Sequence, residues 1–174
     1  MAIIKPNNNT ISAITALPAA ISTGKVLQVV QTSVTDRQSG SGGFNDVSDL
    51  SVNITPSATS SKILVTSYLS AGSTNQYMFA RFMRDTTAIG IADANSSNTR
   101  GSFGNFWVQD SDANNWHTYS QTFLDTPSTT SQVTYKVQVS CNSNTYYINY
   151  GGASSSDASR GNGISTITVM EIGA

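Results

Sequence analysis

From Gln132 to Cys141 apolar and polar side chains alternate without a break: Val133, Tyr135, Val137, Val139 and Cys141 are separated by Thr134, Lys136, Gln138 and Ser140. In an extended chain successive side chains point to opposite faces, so this order puts one set in a core and the other in water. A helix would scatter the same residues around its axis. The segment is therefore an antiparallel strand with one buried face.

Comparable runs recur along the chain and are separated by Ser, Thr, Asn and Gly clusters. They predict strands over 26–32, 50–54, 62–69, 77–84, 87–92, 105–109, 117–124, 132–141, 145–150 and 165–172. The clusters 39–43, 94–98, 110–115 and 154–159 read as exposed turns, where short polar side chains bond nearby backbone and tolerate left-handed conformations. This many strands in 174 residues predicts an all-β protein, an antiparallel two-sheet jelly-roll sandwich over residues 25–174, with an immunoglobulin-like topology as the alternative.

The first 24 residues are of a different kind. They contain Pro6 and Pro18 and place Ile11, Ile14, Leu17 and Ile21 three or four positions apart. Pro18 interrupts any helix that this spacing could start, and so short a segment is not stable alone. Four branched aliphatics would be wasted in water, so residues 1–24 read as a short extended arm that docks on a protein partner through those four side chains.

Charged residues make up 11% of the chain and the formal net charge is −1. The usual charged share is about 25%. A surface this neutral has no basic footprint for nucleic acid. No apolar run approaches the ~20 residues of a membrane helix, and Met1–Pro6 lacks the basic start and continuous apolar core of a signal peptide. The single cysteine, Cys141, falls on the apolar side of its strand and reads as a small buried hydrophobe.

No reactive constellation emerges. His117 is the only histidine, without a nucleophile motif beside it. Asp110, Asp112 and Asn114 start like a calcium loop, but Asn115 stands where that loop needs Gly and Gln121 where it needs Glu. Asp85, Asp93, Asp125 and Glu171 lie near different strand ends, with nothing to bring two of them across a cleft. The many strand-borne aromatics suit a sandwich core or a subunit interface, although carbohydrate stacking is open to them. Arg81 and Arg84, within an apolar strand, read as an interface pair. No enzymatic activity, cofactor or metal is expected.

The string Leu50-Ser-Val-Asn-Ile-Thr-Pro-Ser-Ala-Thr-Ser-Ser-Lys-Ile-Leu-Val65 resembles the start of a β-sandwich domain found in structural proteins of tailed phages, marine phages and cyanophages in particular. Arg81-Phe-Met-Arg84, Ile89-Gly-Ile-Ala-Asp93, Thr122-Phe-Leu-Asp-Thr-Pro127, Thr134-Tyr-Lys-Val-Gln138 and Ser165-Thr-Ile-Thr-Val-Met-Glu-Ile172 continue the likeness, which covers residues 25–174. The resemblance implies a trimeric jelly-roll module on a virion, in a capsid decoration (cement) protein or at a fibre tip, and carries no catalytic residues with it. A short arm leading straight into the sandwich favours capsid decoration, with the major capsid protein of the shell as partner. A tail-fibre or head-fibre tip that binds a host receptor or glycan is the alternative.

Overall fold

A computed structural model describes residues 24–73, 77–104, 116–151 and 161–173. The described residues are all-β and form two antiparallel sheets without a helix. The ten strands are β1 (Val26–Val34), β2 (Gln38–Gly42), β3 (Asn45–Ile54), β4 (Lys62–Ser73), β5 (Phe79–Arg84), β6 (Thr87–Ile89), β7 (Trp116–Asp125), β8 (Val133–Ser140), β9 (Asn142–Ile148) and β10 (Ser165–Ile172).

Their pairing is nested. β1 pairs with β10, β2 with β9, β3 with β8, β4 with β7 and β5 with β6, all antiparallel. Each successive pair lies inside the previous one along the chain, as in a single long hairpin. β10 and β9 also pair with β4, and β8 with β5, which completes the two sheets. The larger sheet runs β1-β10-β4-β9-β2 with β7 on the free side of β4, and the smaller runs β3-β8-β5-β6.

Between the sheets lie Leu50, Val52, Ile63, Val65, Leu69, Phe82, Val137, Val139, Ile148, Ile167 and Val169, all buried. These are the apolar phases of their strands, so alternation and core coincide. Cys141 is fully buried among them and forms no disulfide. Burial raises its thiol above the ordinary cysteine value, which suits a space-filling residue better than a nucleophile.

β1 ends at Val34 and β2 begins at Gln38, while β9 ends at Ile148 and β10 begins at Ser165. One residue ties these four strand ends together. Asn149 is fully buried in the left-handed region, φ 66°. Its Nδ2 donates to the carbonyls of Val34 (2.9 Å) and Asp36 (3.0 Å), its Oδ1 accepts from Ser165 Oγ (2.7 Å), and its backbone N–H donates to Ser70 O (2.8 Å). A buried amide with every group satisfied fixes its surroundings instead of weakening them.

A second buried polar group ties the opposite end. The Glu171 carboxylate, fully buried, accepts from Gln28 Nε2 (2.6 Å), Ser57 N (2.7 Å) and Ser57 Oγ (2.6 Å). Burial alone would raise its pKa. The hydrogen bonds from Ser57 and Gln28 outweigh it and hold the group at about 2.

The sequence places most strands within a few residues, with instructive exceptions. Residues 39–43 read as a turn, yet Gln38–Gly42 is β2, paired along β9. Gly40 belongs there because the ring of Tyr146 occupies the space a Cβ would need. β3 starts at Asn45, ahead of the expected 50, because a register shift between Asp46 and Ser51, with Asp49 at φ 62°, breaks the alternation that periodicity detects. β6 stops at Ile89 because Gly90 turns at φ 57° beneath the ring of Phe123. The strand expected over 105–109 lies outside the described residues.

Candidate functional site

The register of the larger sheet aligns side chains in rows across four strands. Val29 on β1 faces Met170 on β10, Met170 faces Leu64 on β4, and Leu64 faces Leu124 on β7. All four belong to the phase opposite the core residues Ile63, Val65 and Val169, so they form an apolar row on the outer surface. Val26 and Leu27 extend it at the β1 end, beside Ile172. The next row is Gln31, Thr168, Thr66 and Thr122, where Gln31 Nε2 donates to Thr168 Oγ1 (2.7 Å) and the hydroxyls of Thr66 and Thr122 are 3.1 Å apart. These polar groups bond to one another within the sheet.

Further along the same face Tyr68 and Ile164 border an apolar hollow of about 420 Å³ with Ser70, Thr118, Gly163 and Thr166. Among the described residues seven large apolar side chains remain exposed: Val26, Leu27, Val29, Tyr68, Tyr77, Leu124 and Ile164. All except Tyr77 belong to this sheet or its margin. One face thus concentrates apolar surface that a sandwich in water would otherwise present as hydroxyls and charges.

The sequence holds a signal for this face that alternation alone passes over. Val26-Leu27 and Val29-Val30 on β1, and Ile63-Leu64-Val65 on β4, are continuous apolar runs in antiparallel strands. Such runs mean that both faces are apolar. Val29, Leu64, Leu124 and Met170 were not among the expected interface residues.

Arg81 and Arg84, the expected interface pair, both have partners inside the chain. Arg84 Nη1 lies 2.9 and 2.8 Å from the two carboxylate oxygens of Asp125, whose Oδ2 also accepts from Tyr135 Oη at 2.7 Å. Tyr135 is fully buried, and burial together with Asp125 pushes its phenol well above the ordinary tyrosine range. Arg81 points to the other face of β5. Its guanidinium sits 4.0 Å from the centroid of the Phe44 ring, and its Nε and Nη2 donate to Gln138 Oε1 at 2.9 and 2.7 Å. The two arginines serve separate networks on opposite faces of one strand.

His117 is exposed on β7 opposite Ala71, with its ring 6.2 Å from that of Tyr119. Asp85 caps β8, its Oδ1 accepting from Thr134 N (2.9 Å), while Asp125 and Glu171 are each held by their own donors. Ile11, Ile14, Leu17 and Ile21 lie outside the described residues, as do Asp110, Asp112, Asn114 and Asn115. No known protein-family model matches the chain, and no curated protein matches it either.

Proposed function

We propose that this protein is a non-enzymatic structural component of a phage virion, a capsid decoration protein that acts as a homotrimer and braces the head shell. The observation that carries the assembly part of this reading is the apolar row Val29–Met170–Leu64–Leu124, with Leu27, Tyr68 and Ile164 around it. Four strands at ~4.8 Å spacing and about eight residues of ~3.3 Å each give a face on the order of 500 Å² in plan. With side-chain relief this approaches the ~800 Å² that each partner contributes to a stable interface. A nearly uncharged face suits contact between identical copies, since like charges would otherwise meet.

The nested strand pairs support a jelly roll in particular. If β1 with β2, and β9 with β10, are each taken as one interrupted strand, the sheets read 1-8-3-6 and 2-7-4-5. That is the order produced by folding a long hairpin over on itself, two Greek keys in one chain. Residues 1–24 act as the arm, and Ile11, Ile14, Leu17 and Ile21 anchor it to the major capsid protein.

Sedimentation velocity of the full-length protein tests the assembly part. A species of three subunits is expected, and Leu64→Lys combined with Val29→Lys should yield folded monomers. A wild-type monomer at micromolar concentration would overturn it. Deleting residues 1–24 should abolish binding to shells and leave the trimer intact.

A further inference from the structure

Tyr77, the one exposed large apolar side chain away from the larger sheet among the described residues, opens onto a separate cleft. This cleft measures about 460 Å³ and is lined by Gly43, Phe44, Tyr77, Phe79, Ser97, Asn98, Thr99 and Ser140. Its volume falls within the ~300–1,000 Å³ of small-ligand sites. One wall is aromatic: the rings of Tyr77 and Phe79 lie within 19° of parallel with centroids 6.5 Å apart, and Phe44 is held in place by Arg81 above its face. The loop Ser97–Thr99 adds two hydroxyls and a carboxamide, and its turn is fixed by the bond from Asn98 N to Asn95 O (3.1 Å), with Ser96 at φ 52°.

We infer that this cleft is a binding site for a neutral saccharide. Ring faces carry negative quadrupole charge, so they attract the weakly positive C–H bonds on one face of a pyranose. Hydroxyl and amide groups of both donor and acceptor type match the sugar's hydroxyl edge. Among the described residues no Asp, Glu, Lys or Arg lines the cleft. A nucleic-acid phosphate or an acidic sugar would find no cation in that described lining; Arg81, over the Phe44 ring, is not part of it and has the Asp46 carboxylate in its field.

Strand addition by a peptide is disfavoured as well. The backbone beside Phe79 is already paired: Ala80 N donates to Phe103 O (2.8 Å), and Ser102 N and Phe103 N donate to Ala80 O (2.8 and 3.1 Å). Along this edge the contacts to a ligand therefore fall to side chains, as they do for a sugar. This site is independent of the decoration reading and would serve either a shell-bound or a fibre-borne protein.

Gly43 supplies a selective test. It lines the cleft, and a Cβ built there meets no atom within 4 Å, so a side chain can be added at this position without a clash at its first atom. A glycan array probed with the full-length protein, followed by calorimetric titration with the best neutral oligosaccharide, should give a saturable interaction. Tyr77→Ala should weaken it by roughly tenfold or more, as truncating an aromatic anchor does, and Gly43→Trp should block it while the melting temperature stays unchanged. No binding to any neutral glycan, preference for acidic glycans, or binding unaffected by both substitutions would each overturn the inference.

Discussion

Ser165 Oγ donates to Asn149 Oδ1 across 2.7 Å in the fully buried seam where β9 gives way to β10. The same Ser165 Oγ accepts from Ser70 N at 3.0 Å, so one hydroxyl and one amide join β4, β10 and the break between β1 and β2. Removing the amide should leave the buried Val34 carbonyl and Ser165 hydroxyl without this partner, and release the Asp36 carbonyl at the exposed turn. Asn149→Ala should cost about 3 kcal/mol, several buried hydrogen bonds plus a β-carbon strained at positive φ. Asn149→Gly, which relieves the strain and loses the same bonds, should be less damaging. Urea unfolding of the two variants measures the difference.

Acid should loosen the opposite end. The folded pKa of Glu171, about 2, lies below its ordinary value of 4.5. The unfolded state therefore binds the proton first, so this contribution is complete above about pH 4.5 and is lost as pH falls toward 2. The urea midpoint of the wild type should drop through that window. Glu171→Gln should be less stable at neutral pH, and its difference from the wild type should shrink as the pH is lowered; a constant difference would contradict the assignment.

At the edge of the core, Arg84 and Tyr135 both hold Asp125, itself 6% exposed. Tyr135→Phe should cost about 1–2 kcal/mol, one bond to a charged group. Arg84→Met should cost more, because it strands a nearly buried carboxylate. Thermal unfolding at pH 7 should rank wild type, Tyr135→Phe and Arg84→Met in falling order.

Gly90 combines φ 57° with a ring contact: a Cβ there would lie 2.7 Å from Phe123 Cδ2. Gly90→Ala should destabilise by about 1–3 kcal/mol from left-handed strain and displacement of the ring. Phe123→Leu placed beside it should recover part of the loss if the ring contact matters, and none if the strain is purely local. A double-mutant cycle read by urea unfolding separates the two.

How far the sequence could be read follows from what periodicity records. β8 and β10 each turn one alternating phase into the core, and both stand close to where the sequence puts them. β2 is invisible because Gln-Ser-Gly-Ser-Gly has no apolar phase; it exists through β9 and the ring of Tyr146. The nested pairing is absent from local pattern, since register is a relation between distant segments such as β1 and β10. The outer apolar row was legible in part, from Ile63-Leu64-Val65, but its continuity from Val29 to Leu124 required the register. Arg81 and Arg84 looked alike because intrachain partners such as Gln138 and Asp125 lie 57 and 41 residues away.

Cryo-electron microscopy of virions that carry this protein tests the decoration account most directly. Density for three copies should stand on the outside of the head shell, with the Leu64 face of each turned toward its neighbours and residues 1–24 running into the major capsid protein. Density found solely at the tail or a fibre tip, or copies on the shell whose Leu64 faces point to solvent, would contradict it.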